Sequence, residues 1–301
     1  MSLPPLQPRA KYGIISMFKK HTKETTMAYK FDPKEAYETI IRHWRLWAEK
    51  VGAKGWVVGI SGGKDSTVVA GLAARIFGKE NVLGVMMPNG NQTDIEDSIE
   101  VCRRLGIRSA TVNIGKAYEE MMDEVVFGAL SQFGKGGATN DTKINMPARL
   151  RMTALFAIAQ SLGWMVLNTS NLSEDIVGYA TLGGDDMGSY APIQGLTVTE
   201  VIALGDWLGL PKELVHKTPV DGLQPLSDEE KLGFTYDRLD DYIRKDFSSL
   251  EFRLKIDALY RRNRFKTDMI RIPGPDFSHL GNFVWKYNAH LGEHVEAECS
   301  A

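Results

Sequence analysis

Cysteine is nearly absent from this chain of 301 residues, which has only Cys102 and Cys299. Two cysteines exclude a disulfide framework and a cysteine-rich metal site. Cys102 falls mid-helix by pattern and Cys299 close to the last residue, so both read as free thiols of a reducing compartment. No apolar run approaches the roughly 20 residues that a bilayer-spanning helix needs. The opening Met1-Ser2-Leu3-Pro4-Pro5 lacks the apolar stretch of a secretion signal. A cytoplasmic protein with no membrane attachment is therefore expected. Net charge is small too, −2 from 36 Lys+Arg and 38 Asp+Glu, which argues against a surface that coats nucleic acid. No internal repeat is visible. What is present, 43% hydrophobic and 25% charged residues, is ordinary for a globular enzyme, and the length allows a full α/β core.

The most informative stretch is Val57-Val58-Gly59-Ile60-Ser61-Gly62-Gly63-Lys64-Asp65-Ser66-Thr67. A short apolar run from Trp56 to Ile60 reads as a buried strand, and Asp65 onward reads as the first turns of a helix. A strand that passes through glycines into a helix N-terminus is an anion-binding device, because unpaired N–H groups and the positive end of the helix dipole converge there. Ser61, Ser66 and Thr67 add hydroxyl donors. Two familiar phosphate motifs are excluded. The Walker pattern fails at Val58 and at Asp65, which stands where Ser or Thr must follow the lysine, and no G-x-G-x-x-G occurs at this turn.

Strand and helix signals alternate along the chain. Residues 1–31 read as a loosely ordered segment. A helix then starts at Asp32 as N-cap with Pro33 behind it, and Gly52 stops it. Trp44 and Trp47 lie on its apolar stripe and read as core or as subunit contact. The pattern continues with strand 56–60, helix 65–77, strand 82–87, helix 94–105, strand 109–114, helix 116–130, helix 145–162 and strand 164–168; from about residue 195 only helices follow. Short apolar strands separated by amphipathic helices imply an α/β fold, a doubly wound parallel sheet with helices on both faces and a helical C-terminal extension. A single domain over 32–275 and a tail over 276–301 are expected. Ligands of such sheets bind at the carboxyl ends of the strands, where the Ser61 loop falls.

Ser61-Gly62-Gly63-Lys64-Asp65-Ser66 resembles the SGGxDS loop of the PP-loop ATP pyrophosphatases, whose fold is adenine nucleotide alpha hydrolase-like. Further segments resemble one branch of them, the ammonia-dependent NAD synthetases, over roughly residues 35–275. These are Pro88-x-Gly90-x-Gln92-x-Asp94, Asn145-x-x-Ala148-Arg149-x-Arg151-Met152, Thr169-x-x-x-x-Glu174, Tyr179-x-Thr181-x-Gly183-Gly184-Asp185, Pro192-x-x-Gly195-Leu196-Thr197 and Asp237-x-x-x-Asp240-Asp241-Tyr242. The resemblance implies ATP-dependent amidation of deamido-NAD by free ammonia through an acyl-adenylate, with Mg²⁺ and a homodimer. It implies ATP contacts from Gly59, Ser61, Gly62, Gly63, Lys64, Asp65, Ser66, Gln92, Arg151 and Thr169, and substrate contacts from Asn145, Arg149, Asp185 and Lys266. Asp65 and Glu174 are the implied catalytic acids and metal ligands. Each follows an expected parallel strand, so both can reach one sheet edge. The chain departs from the branch where it carries Met86 for an arginine and Val198 for a lysine; Lys64, Lys143 and Lys217 are the candidate replacements. Two other readings of the loop stay open: a tRNA-modifying enzyme that adenylates a base carbonyl, and a nucleotide-binding paralogue without turnover. A glutaminase domain is not expected, since only about fifty residues precede Val57.

Overall fold

A computed structural model describes residues 29–91, 95–217, 228–245, 248–269 and 272–281. The chain divides at Lys30, and the fold described runs from Phe31 onward. Most of the expected N-terminal segment, Gln92, Cys299 and the tail beyond 281 lie outside the described residues.

In chain order the elements are α1 Pro33–Val51, β1 Trp56–Gly59, α2 Lys64–Phe77, β2 Val82–Met86, α3 Ile95–Leu105, β3 Arg108–Thr111, α4 Gly115–Asp123, α5 Asn140–Leu162, β4 Met165–Leu167, α6 Leu172–Val177, α7 Val198–Trp207, α8 Lys212–Val215, α9 Asp228–Leu232, α10 Tyr236–Lys245 and α11 Leu250–Met269. The four strands are parallel in the order β3-β2-β1-β4. The chain builds outward from β1 to β3 and then returns to the other side of β1. The switch point is thus between β1 and β4, where open α/β sheets place their ligands.

Both faces of the sheet are covered. Trp56, Val58 and Ile60 point to one side, packing with Trp44 of α1, Val68 and Leu72 of α2 and Val201 of α7. Val57, Val85 and Val166 point to the other, against Met152, Leu155 and Ala159 of α5. The period-two alternation of the strand divides its side chains between the two layers. Trp44 is fully buried, with its ring stacked on Tyr190 at 5.0 Å and 17°; the Trp44 stripe is core. The helical extension has its own core, in which Phe234, Tyr242 and Ile256 pack on Ile176 and Val198.

Local signals explain several boundaries. The Asp32 side chain accepts from Lys34 N–H at 2.9 Å, and Gly52 ends α1 at φ 65°. Most limits shift by one to three residues, β3 ending at Thr111 and not at 114, and two helices differ more. The helix expected at 116–130 is α only to Asp123; a six-residue π segment, Glu124–Ala129, and a 3₁₀ turn, Leu130–Phe133, complete it. α5 starts five residues before Asn145, because Thr139 caps it by accepting from Thr142 N–H at 3.2 Å. Pro147 therefore lies inside the helix, and its missing N–H leaves one carbonyl of the first turns without its helical donor.

Candidate active site

A cavity of about 1000 Å³ opens at the carboxyl ends of β1 and β4. Its floor is the loop after β1. Gly62 sits at φ 79°, and a Cβ there would lie 3.0 Å from Asp97 Cβ and 3.3 Å from Ser98 N, so both its conformation and its closeness to α3 call for glycine. The Ser66 hydroxyl donates to Gly63 O at 3.1 Å and the Thr67 hydroxyl to the same oxygen at 2.8 Å, closing the loop onto the helix. Gly63 is the N-cap of α2 and offers no side-chain cap. The first N–H groups of α2 thus have no capping side chain where the helix dipole is positive, which is an anion site by construction.

Two carboxylates stand beside it. Asp65 is in the first turn of α2, and Glu174 in the first turn of α6, which follows β4. A single amide links them: Asn171 donates from Nδ2 to Asp65 Oδ1 at 3.1 Å, while its Oδ1 accepts from Glu174 N–H at 3.1 Å. Glu174 Oε2 in return accepts from Asn171 N–H at 3.4 Å, completing a capping box. Burial, then the Asp65 charge, push the Glu174 carboxyl well above its ordinary range, with Lys64 pulling the other way. A cation between the two acids would relieve that repulsion. Among the described residues no group of three His, Cys, Asp or Glu could hold a metal by itself. Two carboxylates suit Mg²⁺, which commonly takes one or two acids and completes its shell with phosphate oxygens and water.

The opposite wall comes from α5 and from the segment after α6. Arg151 donates from Nε to Met87 O at 2.9 Å. Asn145 Oδ1 accepts from the Thr181 hydroxyl at 2.7 Å, and Asp185 Oδ1 from Thr181 N–H at 2.9 Å. Lys266 Nζ donates to Gly178 O and Ala180 O, both at 2.8 Å, and Asn263 Nδ2 to Val177 O at 2.9 Å. α11 thereby holds the carboxyl end of α6 with two side chains. Burial lowers the affinity of Lys266 for its proton, while Asp185 and Asp186 oppose that.

The cavity therefore gathers Gly59, Ser61, Gly62, Gly63, Lys64, Asp65, Ser66, Asn145, Arg151, Thr169, Glu174, Asp185 and Lys266. Arg149 stays outside it, exposed, donating from Nε to Leu182 O at 3.1 Å. Gln92 falls outside the described residues. Of the candidate replacement cations, Lys217 lines the cavity and is paired with Asp97, whereas Lys143 is exposed on α5 away from it. Met86 lines the wall but is 4% exposed, and Val198 is buried in the second core, its N–H donating to Ser173 Oγ at 3.1 Å. Sequence reasoning missed Asn171 and Asn168. The buried Asn168 donates from Nδ2 to Asp185 O at 3.0 Å and to Met187 O at 3.2 Å, fixing the Asp185 turn to the end of β4. Asn171-x-x-Glu174 was legible as a capping box.

Beneath this wall lies Asp175, whose carboxyl is pushed up to about 7 from 3.8, first by burial and then by Asp186 and Asp185. The folded state thus holds a proton that the unfolded chain releases near pH 4, and stability falls as pH rises from about 4 to about 7. Asp175→Asn is expected to exceed wild type in stability at pH 8 by roughly 2–4 kcal/mol and to lose that advantage towards pH 4. Denaturant midpoints at the two pH values measure this; equal gains at both would show that the carboxyl is not the cause.

An uncapped helix at the switch point of a parallel sheet, with two acids at its mouth, defines a nucleotide-binding α/β protein with a phosphate loop. The model of the NAD synthase family matches residues 36–269, and the chain belongs to that family. It is 41% identical over 214 residues to an NH(3)-dependent NAD(+) synthetase of Thermococcus sibiricus, covering 71% of this chain and 80% of the relative. The corresponding protein of Thermococcus kodakarensis is 39% identical, covering 70% and 80%. Among solved structures, NMN synthetase from Francisella tularensis superposes with a TM-score of 0.71 at 32% identity, covering 81% of this chain and 99% of that one.

Proposed function

We propose that the chain converts the nicotinate carboxylate of deamido-NAD to the amide, using ATP and free ammonia and releasing AMP and pyrophosphate. A carboxylate is a poor electrophile. One of its oxygens first attacks the α-phosphorus of ATP, and the bond to pyrophosphate breaks. Ammonia then adds to the acyl carbon, AMP leaves, and the nitrogen gives up a proton. The observation that carries this reading is the meeting of the phosphate loop and the Asp65–Asn171–Glu174 unit at one switch point, in a chain whose relatives are named NH(3)-dependent NAD(+) synthetases.

The loop and the α2 N-terminus hold the β- and γ-phosphates, with Ser61, Ser66 and Lys64 beside them. Asp65 and Glu174 would hold Mg²⁺, whose charge would stabilise the leaving pyrophosphate. Arg151 and Thr169 face the nucleotide; Asn145, Asp185 and Lys266 shape the acceptor side. Arg149 acts by anchoring Leu182, and so the turn that carries Asp185. Positioning and electrostatics carry the catalysis, with no covalent nucleophile. Cys102 supports this division of labour: it is buried and its thiol is pushed up to about 11, the reverse of a reactive thiolate. A homodimer is part of the proposal, supported by the exposed Met121, Phe127 and Phe133 on the segment after β3.

A second reading, nicotinate mononucleotide as acceptor, is favoured by the likeness to the NMN synthetase. Purified protein given ATP, Mg²⁺ and ammonium should form AMP with deamido-NAD, faster as pH rises and NH₃ forms. Faster AMP formation with nicotinate mononucleotide would select the second reading. Turnover only with tRNA would overturn both, and comparable turnover on glutamine alone would overturn ammonia as the nitrogen source.

A further inference from the structure

Local physics disfavours the lysine at the start of α2. Lys64 occupies the first helical position, where the dipole repels a cation, and its side chain is only 4% exposed. A lysine so buried persists when it is paired. Its Nζ lies 3.1 Å from Asp65 Oδ2 and 5.6 Å from the centroid of the Tyr236 ring at the start of α10. The other Asp65 oxygen is taken by Asn171. Asp65 and Glu174 repel each other, and the Lys64 charge opposes that repulsion. The ammonium therefore supplies positive charge at the corner where, on the function proposed above, a divalent ion belongs.

We infer that Lys64 is the resting counter-ion of the Asp65–Glu174 pair and that the nucleotide's phosphates draw it away, so that magnesium enters with ATP and not before it. A divalent ion arriving alone meets a fixed positive charge and an Asp65 whose two oxygens are both engaged. ATP changes this balance. Its terminal phosphates at the α2 N-terminus offer Lys64 a second anionic partner within reach of its flexible stem, and the freed carboxylates and the phosphates can then share one metal.

Removing the charge should therefore move two affinities in opposite directions. Lys64→Met keeps an apolar stem against Tyr236, and Lys64→Arg keeps the charge. Titration of nucleotide-free protein with Mn²⁺, read by paramagnetic resonance of the free ion, should give roughly ten- to hundredfold tighter binding in the Met variant and wild-type binding in the Arg variant. ATP in the presence of a chelator should bind the Met variant about tenfold more weakly. Should methionine prevent folding, Lys64→Gln takes its place in both titrations. Unchanged or weaker Mn²⁺ binding in the charge-free variant would overturn the inference, as would tightening in the Arg variant. Both titrations proceed without turnover, so they judge Lys64 separately from the amidation assay, which judges the reaction.

Discussion

Asp65→Asn is expected to lower kcat by about two to three orders of magnitude, since it removes a charge aimed at the developing pyrophosphate while keeping the shape of the side chain. The Asn171 bond can persist in the variant, because Asp65 Oδ1 is the acceptor and an amide oxygen can replace it. Glu174→Gln is a matched test. Glutamine also completes a capping box at the third helical position, so α6 keeps its start and only the charge is lost. The double variant should fall little below either single one, because both acids serve one site. Single-turnover AMP formation measures all three; near-wild-type rates in Asp65→Asn would remove the metal assignment.

The second large effect concerns stability. Arg244 and Glu200 are both 3% exposed and form a bidentate pair, Nε to Oε1 at 2.7 Å and Nη2 to Oε2 at 2.9 Å. Arg244 also donates to Gly195 O at 2.6 Å and Gly281 O at 2.8 Å, and Glu200 Oε2 accepts from Thr197 N–H at 2.8 Å. Arg244→Ala would remove the guanidinium that pairs with the buried Glu200, a change that costs about 3–5 kcal/mol for a buried ion pair. Replacing both residues, as in Glu200→Gln with Arg244→Met, should cost much less, since no charge is then stranded. Urea unfolding of the two variants decides the point: equal losses would mean that packing, and not the uncompensated carboxylate, sets the cost.

Features written in neighbouring residues were legible in the sequence. Asp32 and Pro33 mark the start of α1, and the glycines with Asp65 mark a phosphate loop, because capping and dipole effects act over a single turn. The fold followed from alternation, with strand and helix limits shifted by a few residues. Contacts between distant segments were not legible. Asn171 meets Asp65 across 106 positions, and nothing in the local pattern says that β4 returns to the side of β1. Arg149 is different. Residues two apart on an α-helix point about 200° away from one another, so Arg149 and Arg151, inside the expected helix 145–162 as well as inside α5, cannot both face the cavity; their pairing at one site rested on the resemblance alone. Val198 shows the effect of context, since its side chain lies in an apolar cluster that only the packing of α7 on α10 and α11 creates.

The short α6 has a mechanical consequence. Six residues at about 1.5 Å each make a rod roughly 9 Å long, too short to bend. One end carries Asn171 and Glu174 beside the phosphate loop, and the other is pinned by Asn263 and Lys266, with Gly178 so close to α11 that a Cβ would fall 2.1 Å from Asn263 Cβ. A rod fixed this way behaves as a lever. A tilt of α6 at the Tyr179–Thr181 side would be carried to Asn171 and Glu174 near the other end. Thermodynamic reciprocity requires that whatever factor the acceptor applies to ATP affinity, ATP applies to acceptor affinity.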